Sequence, residues 1–180
     1  SHVFKRAESA NIGDVIVAAE DQEIIDDVKN NGGNAILTSK NHKTGTDRIY
    51  EAFCMIGRND IDFIMNVQGD EPDIDINDIK NLDFKMKINN SKIGTLAAKI
   101  SNQEVYKDEN VVKVEIKDTL NKDNFPYALN FMRRTENKDN VFHHMGIYSY
   151  NIETLKKFVS FNQSKNELAD RLEQLRALDN

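Results

Sequence analysis

Two periodicities share this chain, and their order predicts a fold class. Val3, Phe4 and Ala7 lie on one helical face at the start. Asp14-Val15-Ile16-Val17-Ala18-Ala19 is a short continuous apolar run, the pattern of a strand buried on both faces and paired in parallel. Asp21 then takes a helix N-cap position, Ile24, Ile25 and Val28 recur at helical spacing, and Asn30-Asn31-Gly32-Gly33 stops the helix. A strand at Ala35-Ile36-Leu37, a loop from Thr38 to Gly45, a helix from Thr46 to Ile56 and a strand from Phe63 to Val67 follow. Strand, helix, strand, helix, strand with short connections predicts an open, mainly parallel sheet flanked by helices. In such sheets ligands collect outside the carboxyl ends of the strands.

The second half is less regular. A polar helix and loop over 73–90 leads to a strand from Ile93 to Ile100. After an exposed stretch, Val112-Lys113-Val114-Glu115-Ile116 alternates as a strand with one wet face. Residues 118–124 are turn-like, Tyr127 to Phe131 is a further strand, and Thr135 to Asn140 forms a polar, mobile segment. Val141 to Tyr150 returns to the core before helices over 151–161 and 167–178, the second marked by Leu168, Leu172, Leu175 and Leu178. The chain opens in helical phase without a Met and stops without a closing strand. It therefore reads as the middle of a longer domain, a single unit over 1–180 truncated at both ends.

Composition narrows the function. Twenty-four basic against 30 acidic residues give a net charge of −6, which offers no broad footprint for nucleic acid or an anionic membrane. The single Cys54 cannot form an intrachain disulfide or a thiolate metal site, and a reducing cytoplasm is expected.

Three groups of residues could carry chemistry. Val67-Gln68-Gly69-Asp70-Glu71-Pro72 emerges from the third strand. There Gly69 permits close backbone approach, Gln68 offers donor and acceptor, and Asp70 offers the hard oxygen that magnesium takes. On the residues alone, a strand-to-loop turn with acids facing water is an equal reading. His42-Lys43-Thr44-Gly45-Thr46-Asp47-Arg48 opens a helix. Its free N–H groups, hydroxyls and Arg48 fork suit a polar ligand, and an ordinary capped helix start fits as well. Arg133-Arg134, His143-His144 and Tyr148, with Glu173-Gln174 and Arg176, suit a polyhydroxylated sugar acid. His143 and His144 point to opposite faces of a strand, and Glu173 and Gln174 on a helix would ordinarily be solvated.

Taken in order, Thr44-Gly45-Thr46-Asp47-Arg48, Val67-Gln68-Gly69-Asp70-Glu71-Pro72, His144-Met145-Gly146-Ile147-Tyr148-Ser149-Tyr150 and Leu172-Glu173-Gln174-Leu175-Arg176 resemble the 3-deoxy-manno-octulosonate (Kdo) cytidylyltransferases, also called CMP-Kdo synthetases. His2 to Ala7 and Asn110 to Val114 fit too. The resemblance implies an α/β, Rossmann-like nucleotide-diphospho-sugar transferase fold. It also implies transfer of a cytidylyl group from CTP to Kdo for lipopolysaccharide synthesis, with magnesium as cofactor, by a homodimer. Residue by residue, Asp70 would be a catalytic metal ligand and Gln68 would lie between nucleotide and sugar. Thr44, Gly45, Thr46 and Arg48 would contact the cytosine side, and Arg133, His144, Tyr148, Glu173 and Gln174 would hold Kdo. The family's phosphate-wrapping first loop has no counterpart before Ser1, and its second metal-binding Asp is expected beyond Asn180. Three other readings are a cytidylyltransferase for another sugar acid such as a sialic acid, an inactive or non-catalytic nucleotide-binding fragment, and a receiver-like domain suggested by fold pattern alone.

Overall fold

In the computed structural model, residues 2–70, 73–121 and 123–180 are described, so Glu71 and Pro72 of the acidic motif lie outside the described residues. Chain order is α1 (His2–Ala10), β1 (Ile16–Ala19), α2 (Gln22–Asn30), β2 (Asn34–Leu37), α3 (Gly45–Ile56), β3 (Phe63–Asn66), α4 (Ile76–Ile88) and β4 (Ile93–Ala98). A 3₁₀ turn at Gln103–Tyr106, β5 (Lys113–Ile116), β6 (Ala128–Met132), β7 (Val141–Asn151), α5 (Ile152–Ser160), α6 (Lys165–Asp170) and α7 (Leu175–Leu178) complete it. The chain divides into two compact units, Ser1–Gly94 with Gly146–Val159, and Thr95–Met145 with Ser160–Asn180.

The first unit contains the predicted βαβ element. β1 and β2 pair in parallel from Ile16↔Asn34 to Ala19↔Leu37, with α2 as the crossover. Asp21 caps α2 by accepting from Glu23 N–H at 2.9 Å. Ile25 and Val28 pack with Ala19 and Ala35, where the helical and strand periods meet. The chain leaves α2 through Gly32 at φ 80°. At Gly33 an added Cβ would lie 2.8 Å from both Phe4 Cζ and Val28 Cγ1, so only glycine fits. α4, capped by Asp75, buries Ile79, Leu82 and Met86, and α5 buries Leu155 and Phe158. β3 pairs with the last residues of β7, from Phe63↔Asn151 to Asn66↔Tyr148.

In the second unit β5 pairs with β6 and with Val141 to His143 of β7. Val114, Ile116, Phe131, Leu172 and Leu175 form its apolar cluster.

Three expectations are corrected. The α/β class holds, but the strands are not mainly parallel: among the described residues β1–β2 is parallel, whereas β3–β7, β5–β6 and β5–β7 are antiparallel. Among the described residues, the connections from β5 to β6 and from β6 to β7 contain no crossover helix, and a parallel neighbour requires one. Lys113, expected on a wet face, is fully buried. Its ammonium donates to the carbonyl oxygens of Asp108 (2.6 Å), Val111 (2.7 Å) and Arg133, using all three donors. The final helix is two pieces, because Arg171 adopts a left-handed conformation at φ 54° and ψ 47°. Leu168 consequently faces solvent while Leu172 and Leu175 are buried.

Candidate functional site

In the first unit, residues leaving the carboxyl ends of β1 and β2 form one hydrogen-bond network. Arg48 donates to Thr38 Oγ1 at 2.7 Å, to the carbonyl oxygen of Ser39 at 3.2 Å and to the Glu20 carboxylate. Its fork is therefore committed to the two strand ends. Glu51 accepts from Ser39 N–H at 2.8 Å and meets His42 Nε2 at 2.5 Å. The hydrogen bonds from His42 and Ser39 hold its carboxyl below the usual range. The loop that delivers Thr44 and Gly45 is thus tied down on both sides.

Thr44 is the N-cap of α3. Its Oγ1 accepts from Asp47 N–H at 3.2 Å and lies 2.9 Å from Asp47 Oδ2. Thr46 is fully buried, with its hydroxyl 3.3 Å from Tyr150 OH. The capped helix start and the ligand-facing loop are therefore one structure: the two hydroxyls organise the turn, and the Gly45 backbone is its bare surface.

Gln68 lies against that surface. A Cβ added to Gly45 would come within 3.3 Å of Gln68 Nε2 and 3.5 Å of Asn66 Nδ2, and one on Gly146 within 3.8 Å of Gln68 Cγ. Gly69 has nothing within 4 Å of an added Cβ, so open space surrounds it, whereas Gly45 is closely approached by Gln68. Asp70 is exposed in the turn after β3. Tyr148 pairs with Asn66 in the β3–β7 register, which places it in the unit of Gln68. Asn66 did not stand out in the sequence. It is 6% exposed, and its Nδ2 has no hydrogen-bond partner. The available signal was an amide in an otherwise apolar strand, where Asn is disfavoured.

Arg133, His144, Glu173 and Gln174 belong to the second unit. The Arg133 guanidinium donates to the carbonyl oxygens of Asp170 (2.7 Å), Glu109 (2.9 Å) and Arg171 (3.2 Å), closing the carbonyl end of α6. Arg134 makes an exposed pair with Glu109, so Arg133 is the inward member. His144 is 6% exposed, with Nε2 2.9 Å from Thr95 Oγ1 and its ring edge-on to Phe131 at 5.0 Å. Thr95 Oγ1 donates to the Met145 carbonyl oxygen, so the imidazole Nε2–H is the donor to Thr95. Burial, aided by His143, lowers the His144 pKa to about 4, leaving a neutral ring at pH 7. Glu173 is half-buried and Gln174 buried rather than solvated, because the turn after Arg171 folds them inward. Arg176 makes a buried bidentate pair with Glu167 at 2.9 and 2.6 Å.

A sequence model of the cytidylyltransferases matches residues 1–180. The chain belongs to the cytidylyltransferase family. It is 40% identical over 197 residues to the 3-deoxy-manno-octulosonate cytidylyltransferase of Thermodesulfovibrio yellowstonii, covering 99% of this chain and 75% of that one. Against the enzyme of the same name from Rhodospirillum centenum it is 40% identical over 185 residues, covering 99% and 70%. A solved CMP:2-keto-3-deoxy-manno-octonic acid synthetase complexed with CTP has a TM-score of 0.85 and 32% identity, over 99% of this chain and 73% of that one. The likeness expected from short motifs thus extends over 99% of this cytidylyltransferase chain.

Proposed function

We propose that this cytidylyltransferase joins CTP to Kdo, giving CMP-Kdo and pyrophosphate. The observation that carries the reading is the Gln68 amide seated on the bare backbone of Gly45, in a chain similar throughout to CMP-Kdo synthetases.

The Kdo anomeric hydroxyl attacks the α-phosphorus in line, the new P–O bond forms, and the bond to the β-phosphate oxygen breaks to release pyrophosphate. Such a step depends on positioning and charge neutralisation more than on covalent chemistry by the protein. Gly45 leaves room for the Gln68 amide at the start of α3, and Gln68 presents that amide to the groups being joined. The Glu51–Ser39 and Arg48–Thr38 hydrogen bonds keep that loop in place.

Asp70 is an exposed hard carboxylate that would give magnesium one of its oxygen ligands. Magnesium takes such a site, using one carboxylate with phosphate oxygens and water. When bound, it neutralises phosphate charge.

In the second unit, Arg133, His144, Glu173 and Gln174 are proposed to recognise Kdo; neutral amide and imidazole groups suit its hydroxyls, and a cation suits its carboxylate. No helix of the described residues is long and apolar enough to cross a membrane. A cytoplasmic setting follows from the CTP requirement, and the working form is proposed to be a homodimer.

Calorimetry with CTP and magnesium tests the reading against a non-catalytic scaffold. Saturable binding that weakens on chelation and in Asp70→Ala is expected. No binding by the folded protein overturns it.

A further inference from the structure

Among the described residues, Asn66 carries a polar group that folding alone does not explain. Asn66 ends β3, its side chain is more than nine-tenths buried, and its Nδ2 has no hydrogen-bond partner. A buried amide donor left unsatisfied costs stability, so an apolar side chain of similar shape would be the more stable choice. The cost is sustained beside one group only partly buried, the Gln68 amide. Asn66 Nδ2 lies 3.5 Å, and Gln68 Nε2 and Oε1 lie 3.3 and 3.7 Å, from the point a Cβ on Gly45 would occupy. The two amides thus share the small space that the missing side chain of Gly45 leaves open.

We infer that Asn66 is a positioning residue for Gln68: when substrate is bound, Asn66 Nδ2 donates to Gln68 Oε1 and fixes which face of that amide the substrate meets. A primary amide carries an acceptor on one side and two donors on the other, and free rotation would present either. With Oε1 engaged by Asn66, Gln68 turns Nε2–H outward. It then selects an oxygen acceptor, such as a hydroxyl, carboxylate or carbonyl oxygen. Nδ2 is too buried to meet substrate itself, so its effect must pass through Gln68. The inference deepens the proposed function and rests on Gln68 serving that site.

A double-mutant cycle tests it, using pyrophosphate release by the full chain with CTP, Kdo and magnesium, and thermal unfolding of each variant. Asn66→Leu is expected to lower kcat/KM about 10-fold or more while leaving Tm unchanged or raised. In a Gln68→Ala background the same substitution is expected to cost nothing further. Asn66→Asp, which offers only acceptors at neutral pH, should be as impaired as Asn66→Leu, while Asn66→Gln regains part of the loss. Equal losses from Asn66→Leu in both backgrounds overturn the inference and leave the site reading standing. Full turnover by Gln68→Ala overturns the site reading itself. Should Asn66→Leu fail to fold, Asn66→Asp in the same cycle decides the matter by the same criterion.

Discussion

Replacing Glu167 by Ala removes the carboxylate that Arg176 depends on. The two side chains are 3% and 2% exposed, and they meet in a bidentate pair at 2.9 and 2.6 Å. Glu167 also accepts from Gln163 Nε2 at 3.1 Å and from Ser164 N–H at 3.1 Å, the second completing the capping box of α6. Breaking a buried pair from one side costs about 3–5 kcal/mol, because the remaining charge stays buried without a partner. A lost capping contact adds about 1 kcal/mol. Much of a typical 5–15 kcal/mol would disappear. Urea unfolding followed by circular dichroism at pH 7 should show a loss of about 4 kcal/mol with unchanged slope. Replacing both partners by Leu or Met should recover much of it. A Glu167→Ala protein within 1 kcal/mol of the parent would refute the reasoning. Burial pushes the Glu167 carboxyl up, but the hydrogen bonds from Arg176, Gln163 and Ser164 outweigh it and hold it below the ordinary range. Its stabilising contribution is therefore complete above the unfolded-state pKa of about 4.3 and is lost as pH falls through the lowered folded-state value.

His144 adds a second acid-labile element: its folded pKa of about 4 lies below the ordinary imidazole value of about 6.5, so its neutral burial favours folding fully above pH 6.5. That contribution, up to about 3 kcal/mol, is lost between 6.5 and 4, and His144→Gln should flatten the stability curve in that window. Gly45→Ala should leave Tm unchanged or slightly raised, since Ala is the better helix former, yet lower kcat/KM about 10- to 100-fold by displacing Gln68. An unaltered kcat/KM would remove the close approach from the mechanism. Gly33→Ala forces a Cβ to 2.8 Å from Phe4 and Val28 and should cost about 1–3 kcal/mol in urea unfolding, with kinetic constants retained at low temperature.

Local signals made the first half of the fold legible. Apolar runs located β1, β2 and β3, Asp21 marked the start of α2 and Gly32 its exit, and the helix expected from Thr46 begins one residue earlier, at Gly45, capped by Thr44. Strand direction was misjudged because a buried apolar run in a mixed sheet looks like one in a parallel sheet. The late Leu spacing suggested one helix, but the break at Arg171 depends on Arg133, distant in sequence, taking the carbonyl oxygens of Asp170 and Arg171. Lys113 was unreadable for a related reason, since its burial is made tolerable by two carbonyls of the preceding turn together with that of Arg133, 20 residues away. At the site, the motifs pointed to Gly45 and Gln68, whereas Asn66 emerged only once its unpartnered donor was seen beside them.

The most direct test of the proposed reaction is pyrophosphate release by the full chain supplied with CTP and magnesium, with Kdo or a sialic acid as acceptor. Release is expected with Kdo and CTP, far less with the sialic acid, and a loss of at least about 100-fold in Asp70→Ala. Release that ignores the identity of the sugar acid, or that survives intact without the Asp70 carboxylate, would contradict it.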